Sequence, residues 1–304
     1  MKILIVGLGS IGKKHIDAIY ELYPRAIIVA LRSCISDESY RGVVNLYNLS
    51  ELSFVPDFII ISNISILHEE TIMQMISLKS PLFIEKPVLC NLTNATLISK
   101  LVKSNEIITY VACNMRFHPC IEYLKSYLQS SSSKINEVNI YCGSYLPNWR
   151  ANKNFKKIYS ANKEMGGGVD LDLIHELDYT VWLFGFPYAT TRVSTSKSSL
   201  EINSIDCARY ILEYEEYTVG ITLNYYRIDS RRSIEVLFDN DTIHIDLLTS
   251  TIKSMNSGEI LFNSKEKMSD IYLKQINYFI KQFKMNEYTM NDFDTAVDVL
   301  KIAL

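Results

Sequence analysis

The chain has 304 residues, enough for two domains at roughly 150 residues each, and either would bury a core of its own. Hydrophobic residues make up 48% and charged residues 21%, with Gly at 11 positions and Pro at 7, which excludes disordered and collagen-like chains. A net charge of -3 without any long basic run leaves no electrostatic footprint for nucleic acid or an anionic membrane. Cys34, Cys90, Cys113, Cys120, Cys142 and Cys207 form no Cys-x-x-Cys pair and have no His at ligand spacing. No metal site is expected, and they read as the reduced thiols of a cytoplasmic protein. The apolar stretch from Ile3 to Ile11 contains Gly7 and Gly9 and runs into Lys13-Lys14-His15 without a cleavage site, so it is not a secretory signal. No later run approaches the roughly 18 apolar residues of a membrane span.

The first 118 residues alternate strand and helix. Ile3 to Val6, Ala26 to Leu31, Asp57 to Ser62, Leu82 to Ile84 and Ile107 to Ala112 are short apolar runs suited to strands buried on both faces. Helical spacing appears over Ile11–Tyr23, Glu69–Ser77 and Thr93–Ser104. The alternation predicts a Rossmann-type α/β domain, a doubly wound parallel sheet.

Residues 119–304 predict an α+β domain with a large, mostly antiparallel open sheet. Its strands are expected at Glu137–Tyr145, Cys207–Tyr214, Thr218–Tyr226, Ser233–Phe238 and Thr242–Leu247. Val219, Ile221, Leu223 and Tyr225 alternate with more polar residues, the mark of a sheet with one face on a core. One helix is expected from Leu171 to Phe184. A last one, 294–304, is expected to pack back on the first domain. This half-polar sheet, with Tyr210, Tyr214 and Tyr225 among its residues, is expected to pair face to face with another subunit in a homodimer or homotetramer.

The chemistry lies in five segments. Gly7-Leu8-Gly9-Ser10-Ile11-Gly12 follows a buried strand and opens a helix, so its glycines suit a tight turn, approach of a pyrophosphate to backbone N–H groups, and close helix–strand packing. Twenty residues on, Arg32-Ser33 stands where an NAD site places an acid on the ribose, which leans the reading towards NADP unless Asp37 or Glu38 enters from the next loop. Glu85-Lys86-Pro87 closes the fourth strand, at the sheet end where ligands bind. Gly166-Gly167-Gly168 permits a close loop, and Asp172 and His175 follow at i, i+3 on the expected helix, with His175 in its first turn. Trp149 and Arg150, with Lys153, Lys156, Lys157 and Lys163, offer an aromatic face and cations suited to a sugar bearing an anionic group.

Taken in order, Gly7-x-Gly9-x-x-Gly12, Glu85-Lys86-Pro87, Asn114-Met115-Arg116-Phe117-His118-Pro119 and Gly167-Gly168-x-x-x-Asp172-x-x-His175-x-x-Asp178 resemble the Gfo/Idh/MocA oxidoreductase family. The resemblance spans the whole chain. It implies NAD(P) held by Gly7, Gly9, Ser10, Ile11 and Gly12, with Glu85 by the nicotinamide ribose and Lys86 beside the reacting carbon. It implies catalysis by Lys86, Asp172 and His175, with Arg116 near the substrate at the domain junction. Where relatives read Thr-Pro before the ribose-side His, this chain reads Asn63-Ile64 ahead of His68, and Asp170 replaces an apolar residue as an extra substrate contact or a cap. The activity implied is hydride transfer between nicotinamide and a secondary alcohol or ketone of a sugar, sugar phosphate, nucleotide sugar or cyclitol, with a pointer to surface-glycan sugars. Lys86 and His175 remain alternative bases. Two alternatives stay open: an NAD-dependent glycosidase of this fold, or a non-catalytic dinucleotide or sugar sensor.

Overall fold

The computed structural model describes residues 1–35, 40–150 and 153–304, so Asp37 and Glu38 lie outside the described residues. The chain forms two compact units, Met1–Asn114 with Lys267–Lys301, and Met115–Glu266 with Ile302–Leu304. The sequence places the boundary at 118/119, with only the last helix, 294–304, returning to the first domain, whereas this division returns Lys267–Lys301.

In the first unit, β1 (Lys2–Val6) leads into α1 (Ser10–Leu22), β2 (Ile27–Leu31), β3 (Val44–Leu46), β4 (Phe58–Ile61), α2 (His68–Ile76), β5 (Leu82–Ile84), α3 (Ala95–Ser104) and β6 (Thr109–Val111). The strands form one six-stranded parallel sheet in the order β3-β2-β1-β4-β5-β6. Ile3, Leu4, Ile5 and Phe58 through Ile61 have no exposed surface, because helices cover both faces of the sheet. The strand order reverses between β1 and β4, which puts the glycine turn after β1 and Ser62-Asn63 after β4 at the switch point.

The second unit begins with α4 (Pro119–Ser130), β7 (Ile135–Tyr145), α5 (Val169–Asp172) and α6 (His175–Phe184). It continues through β8 (Ala189–Thr195), β9 (Cys207–Glu213), β10 (Thr218–Asn224), β11 (Tyr226–Phe238), β12 (Thr242–Asp246), β13 (Thr251–Ser254) and β14 (Ile260–Asn263). Its eight-stranded sheet runs β14-β13-β12-β11-β7-β10-β9-β8, antiparallel except for the parallel β7–β10 pair. Val219, Ile221, Leu223 and Tyr225 are all buried, as their alternation predicts. Of the three sheet tyrosines, two point into the unit itself. Tyr210 and Tyr225 are 1% and 0% exposed, their hydroxyls bonded to Ala303 O and Asp172 within the unit.

The chain then returns to the first unit through α7 (Met268–Met285) and α8 (Phe293–Ala303). The α7 helix is absent from the expected elements. Phe279 packs on Phe58 and Phe83 at 5.5 Å, and Gln275 donates to Tyr110 Oη, so α7 covers the β4–β5–β6 face. The link between the helices satisfies the outer edge of β6: Val111 N donates to Asn291 O, and Thr289 Oγ1 to Thr109 O.

Candidate functional site

Expected site residues fall in both units. In the first, the three glycines differ in what a side chain would meet. A Cβ on Gly7, whose φ is +90°, would lie 2.7 Å from the Asn63 backbone, and one on Gly12 would lie 2.6 Å from Gly7 O. Ser62 Oγ locks the same corner by donating to Gly7 O across 2.9 Å. Gly9 is exposed and N-caps α1, and a Cβ there would meet nothing within 4 Å. Packing therefore explains Gly7 and Gly12, whereas at Gly9 the room is left outside the protein, in front of the first N–H groups of α1. Exposed Ser10 and half-buried Ile11 continue that opening turn. The residues fit a diphosphate held at a helix N-terminus. At the tip of β2, Arg32 is half-buried and its N–H bonds Leu46 O, beside exposed Ser33.

At the ends of β4 and β5, half-buried Asn63 donates through Nδ2 to Thr71 Oγ1, and its buried Oδ1 has no partner among the described residues. Expected direct cofactor contact by His68 is not what the structure provides. The ring is 0% exposed, with Nδ1 2.8 Å from Pro87 O and Nε2 3.3 Å from Asn63 O. Burial lowers its pKa and favours the neutral ring. His68 thus braces the Asn63 turn and the Lys86–Pro87 peptide, which is cis. Lys86 is half-buried, and Glu85, 8% exposed, sits with Oε1 2.6 Å from Nε2 of His15, a residue that the sequence pattern presents only as the end of a basic run.

In the second unit, the expected helix from Leu171 to Phe184 divides. Glu176 N returns to Leu173 O, an i→i+3 bond of 3.2 Å, so Asp172 ends α5 and His175 opens α6. Asp172 is 5% exposed, and its Oδ2 accepts from Tyr225 Oη at 2.5 Å. Tyr225 meets the Trp149 ring edge-on, with centroids 5.2 Å apart, and Trp149 Nε1 donates to Ser144 Oγ. Tyr159, which also bonds Asp172, lies under the Arg150 guanidinium at 5.5 Å. Burial first, and then Asp172, pushes both phenols upward, so they remain hydrogen donors to the carboxylate. Asp172, Trp149 and Arg150 are therefore brought together by Tyr159 and Tyr225, which the motifs do not single out. Half-buried His175 follows on α6, whose first turn is pinned to β11 by the 2.6 Å Glu176–Arg232 pair.

Other expected contacts are taken up inside the unit. Arg116, 2% exposed, makes a bidentate pair with Asp178 through Nε and Nη2, both at 2.8 Å. A guanidinium so engaged is a strut for α6, which corrects its expected substrate contact. Asp170 bonds Arg192 at 2.6 Å and accepts from the backbone N–H groups of Asp170 and Leu171 in the first turn of α5, as a cap would, and burial raises its pKa despite these partners. The glycine loop approaches its own chain: a Cβ on Gly167 would lie 2.0 Å from Tyr159 O. Lys156 pairs with Glu201, which neutralises part of the basic loop. Among the described residues no group of His, Cys, Asp and Glu could hold a metal ion, and no helix is long and apolar enough to cross a membrane.

Comparison with known proteins places this geometry. A model for an oxidoreductase family with an NAD-binding Rossmann fold matches residues 1–113, and that family's C-terminal alpha/beta domain matches 131–289. Myo-inositol 2-dehydrogenase of Thermotoga maritima is 24% identical over 94% of this chain and 89% of its own. UDP-N-acetylglucosamine 3-dehydrogenase from Acidithiobacillus ferrooxidans superposes with a TM-score of 0.79 at 16% identity, covering 100% of this chain and 95% of that one. An oxidoreductase from Agrobacterium radiobacter, solved with NAD+ and L-tartaric acid, gives 0.82 at 16% identity, covering 100% and 94%.

Proposed function

The chain belongs to the Gfo/Idh/MocA oxidoreductase family, whose first domain binds NAD, and from that premise we propose that this dehydrogenase oxidises a secondary alcohol of a sugar, sugar derivative or cyclitol, or reduces the matching ketone. The observation that carries the substrate class is the cluster of Asp172, Tyr225, Tyr159, Trp149 and Arg150: a fixed carboxylate for hydroxyl groups, with indole and guanidinium beside it. Names of relatives that act on inositol and on a UDP-sugar support the same class.

Gly7, Gly9, Ser10, Ile11 and Gly12 would hold the dinucleotide at the N-terminus of α1, and Asn63 and Glu85 would meet its nicotinamide half. Bound NAD+ supplies the hydride acceptor. Oxidation also requires the hydroxyl proton to leave, and neutral His175 accepts it while the Lys86 ammonium stabilises negative charge on the oxygen. Asp172, held by Tyr225, orients the neighbouring hydroxyls. Arg32 gives a guanidinium for a 2′-phosphate, the basis for NADP preference. Val193 and Ile211, 59% and 52% exposed on the outer sheet face, form the surface through which copies pair. The six cysteines, all thiols here, suit a cytoplasmic setting.

The test follows nicotinamide absorbance with NAD+ and NADP+ against panels of cyclitols, sugar phosphates, nucleotide sugars and sugar acids. Reduction with one class supports the proposal. Failure with every panel, in both directions, would overturn it. NADH and NADPH titrations by fluorescence, repeated on Arg32→Asp, test the cofactor assignment: NADPH should bind more tightly in the wild type, and the substitution should remove that advantage. Equal affinities before and after would remove the NADP preference.

A further inference from the structure

We infer that His15 is a positioning residue of the cofactor site, fixing one oxygen of Glu85 so that the other is left to accept from the nicotinamide ribose. The inference rests on the proposed binding of a dinucleotide at the Gly7–Gly12 turn.

His15 lies in α1 three residues past Gly12, and is 0% exposed. Its Nε2 stands 2.6 Å from Glu85 Oε1. Glu85 offers lone pairs, so the imidazole nitrogen carries the hydrogen in that bond. The remainder of the ring meets carbon: Phe83 edge-on at 4.9 Å and Tyr272 at 5.8 Å. Nδ1 is buried with no partner among the described residues.

That orphan atom makes the position informative. A slot between two aromatic rings would take a leucine or methionine without burying an unmet polar atom. What histidine adds is a single hydrogen bond, and its one recipient is Glu85. One helix thus carries both the dinucleotide turn and, a turn later, the donor that holds the carboxylate at the end of β5. Tyr272 comes from α7, so the helix that closes the first unit also walls this pair, with Lys14 Nζ 5.2 Å from its outer face. Glu85 is 8% exposed, so little of it is open to a ligand. A carboxylate free to rotate would offer its second oxygen only part of the time.

The experiment compares NADH with ADP, which has the diphosphate and adenosine ribose but lacks the nicotinamide ribose, by titration of the full chain. His15→Leu should weaken NADH about tenfold and leave ADP within about twofold, the loss of one charge-assisted hydrogen bond. His15→Gln, whose amide reaches the place of Nε2, should keep both within about threefold. If His15→Leu fails to fold, His15→Asn, whose amide stops short of Glu85, replaces it with the same expectation. Unchanged NADH binding without the donor, or equal losses for NADH and ADP, would overturn the inference. A wild-type chain that binds neither nucleotide would instead overturn the cofactor reading on which it rests.

Discussion

The Tyr225 hydroxyl donates to Asp172 Oδ2 across 2.5 Å, from a ring with no exposed surface. A carboxylate bonded by both the Tyr225 and the Tyr159 phenols is held in one orientation. Tyr225→Phe keeps the ring against Trp149 and removes only the donor. Turnover should fall about ten- to a hundredfold, as expected when a reacting group is mispositioned, with NADH affinity unchanged. Steady-state kinetics beside a nucleotide titration check this. A variant with wild-type turnover would show that Asp172 needs no such anchor.

Alkaline pH should expose the same tyrosine. Burial is the first cause lifting Tyr179 and Tyr225 well above the ordinary value of 10.0. On unfolding, both phenols return to water and ionise near that value. Their contribution to stability is therefore whole below pH 10 and is lost as pH rises towards the folded-state values, at about 1.4 kcal/mol per pH unit for each group. Denaturant unfolding at a series of alkaline pH values should show this slope, and Tyr225→Phe should reduce it by one group's share. An unchanged slope in the variant would contradict the assignment.

Gly9 and Gly12 should respond differently to the same methyl group. Gly12→Ala drives a Cβ to 2.6 Å from Gly7 O, so the variant should lose stability whether or not nucleotide is present. Gly9→Ala meets nothing within 4 Å. It should melt close to wild type, within about 1 kcal/mol, and lose dinucleotide affinity by about tenfold or more. Thermal melts with and without NAD+ separate the two effects. Full NAD+ affinity in Gly9→Ala would place the diphosphate elsewhere.

Arg116 should behave as a structural cation. Arg116→Met strands the Asp178 charge in the core and should cost about 3–5 kcal/mol, whereas Arg116→Met with Asp178→Leu should recover most of it. The double variant should keep its KM. Recovered stability with a greatly raised KM would restore Arg116 to the substrate site.

What was legible in the sequence was what depends on near neighbours. Apolar runs such as Ile3 to Val6 gave the buried strands, and the alternation from Val219 to Tyr225 gave the inner face of the second sheet. The glycine turn was readable because β1 and α1 adjoin it. The spacing of Ile271, Ile276, Phe279 and Ile280 is helical, but what joins that helix to the first unit, such as the packing of Phe279 on Phe58 and Phe83, lies far away in the chain. Distance in sequence also hid the ion pairs. Arg116 meets a carboxylate 62 residues on, and His15 one 70 residues on, so each shows in the sequence only as a nearby charge or ring. Gly167 suggested a ligand, yet the close neighbour is Tyr159 O, which no spacing rule reveals.

The proposed function requires both Lys86 and His175 for hydride transfer. Its most direct test is single-turnover reduction of NAD+ by the best substrate of the panels, for the wild type, Lys86→Ala and His175→Ala. Both variants should bind NAD+ as the wild type does and reduce it about 10² to 10⁴ times more slowly. Wild-type rates in both would contradict the account.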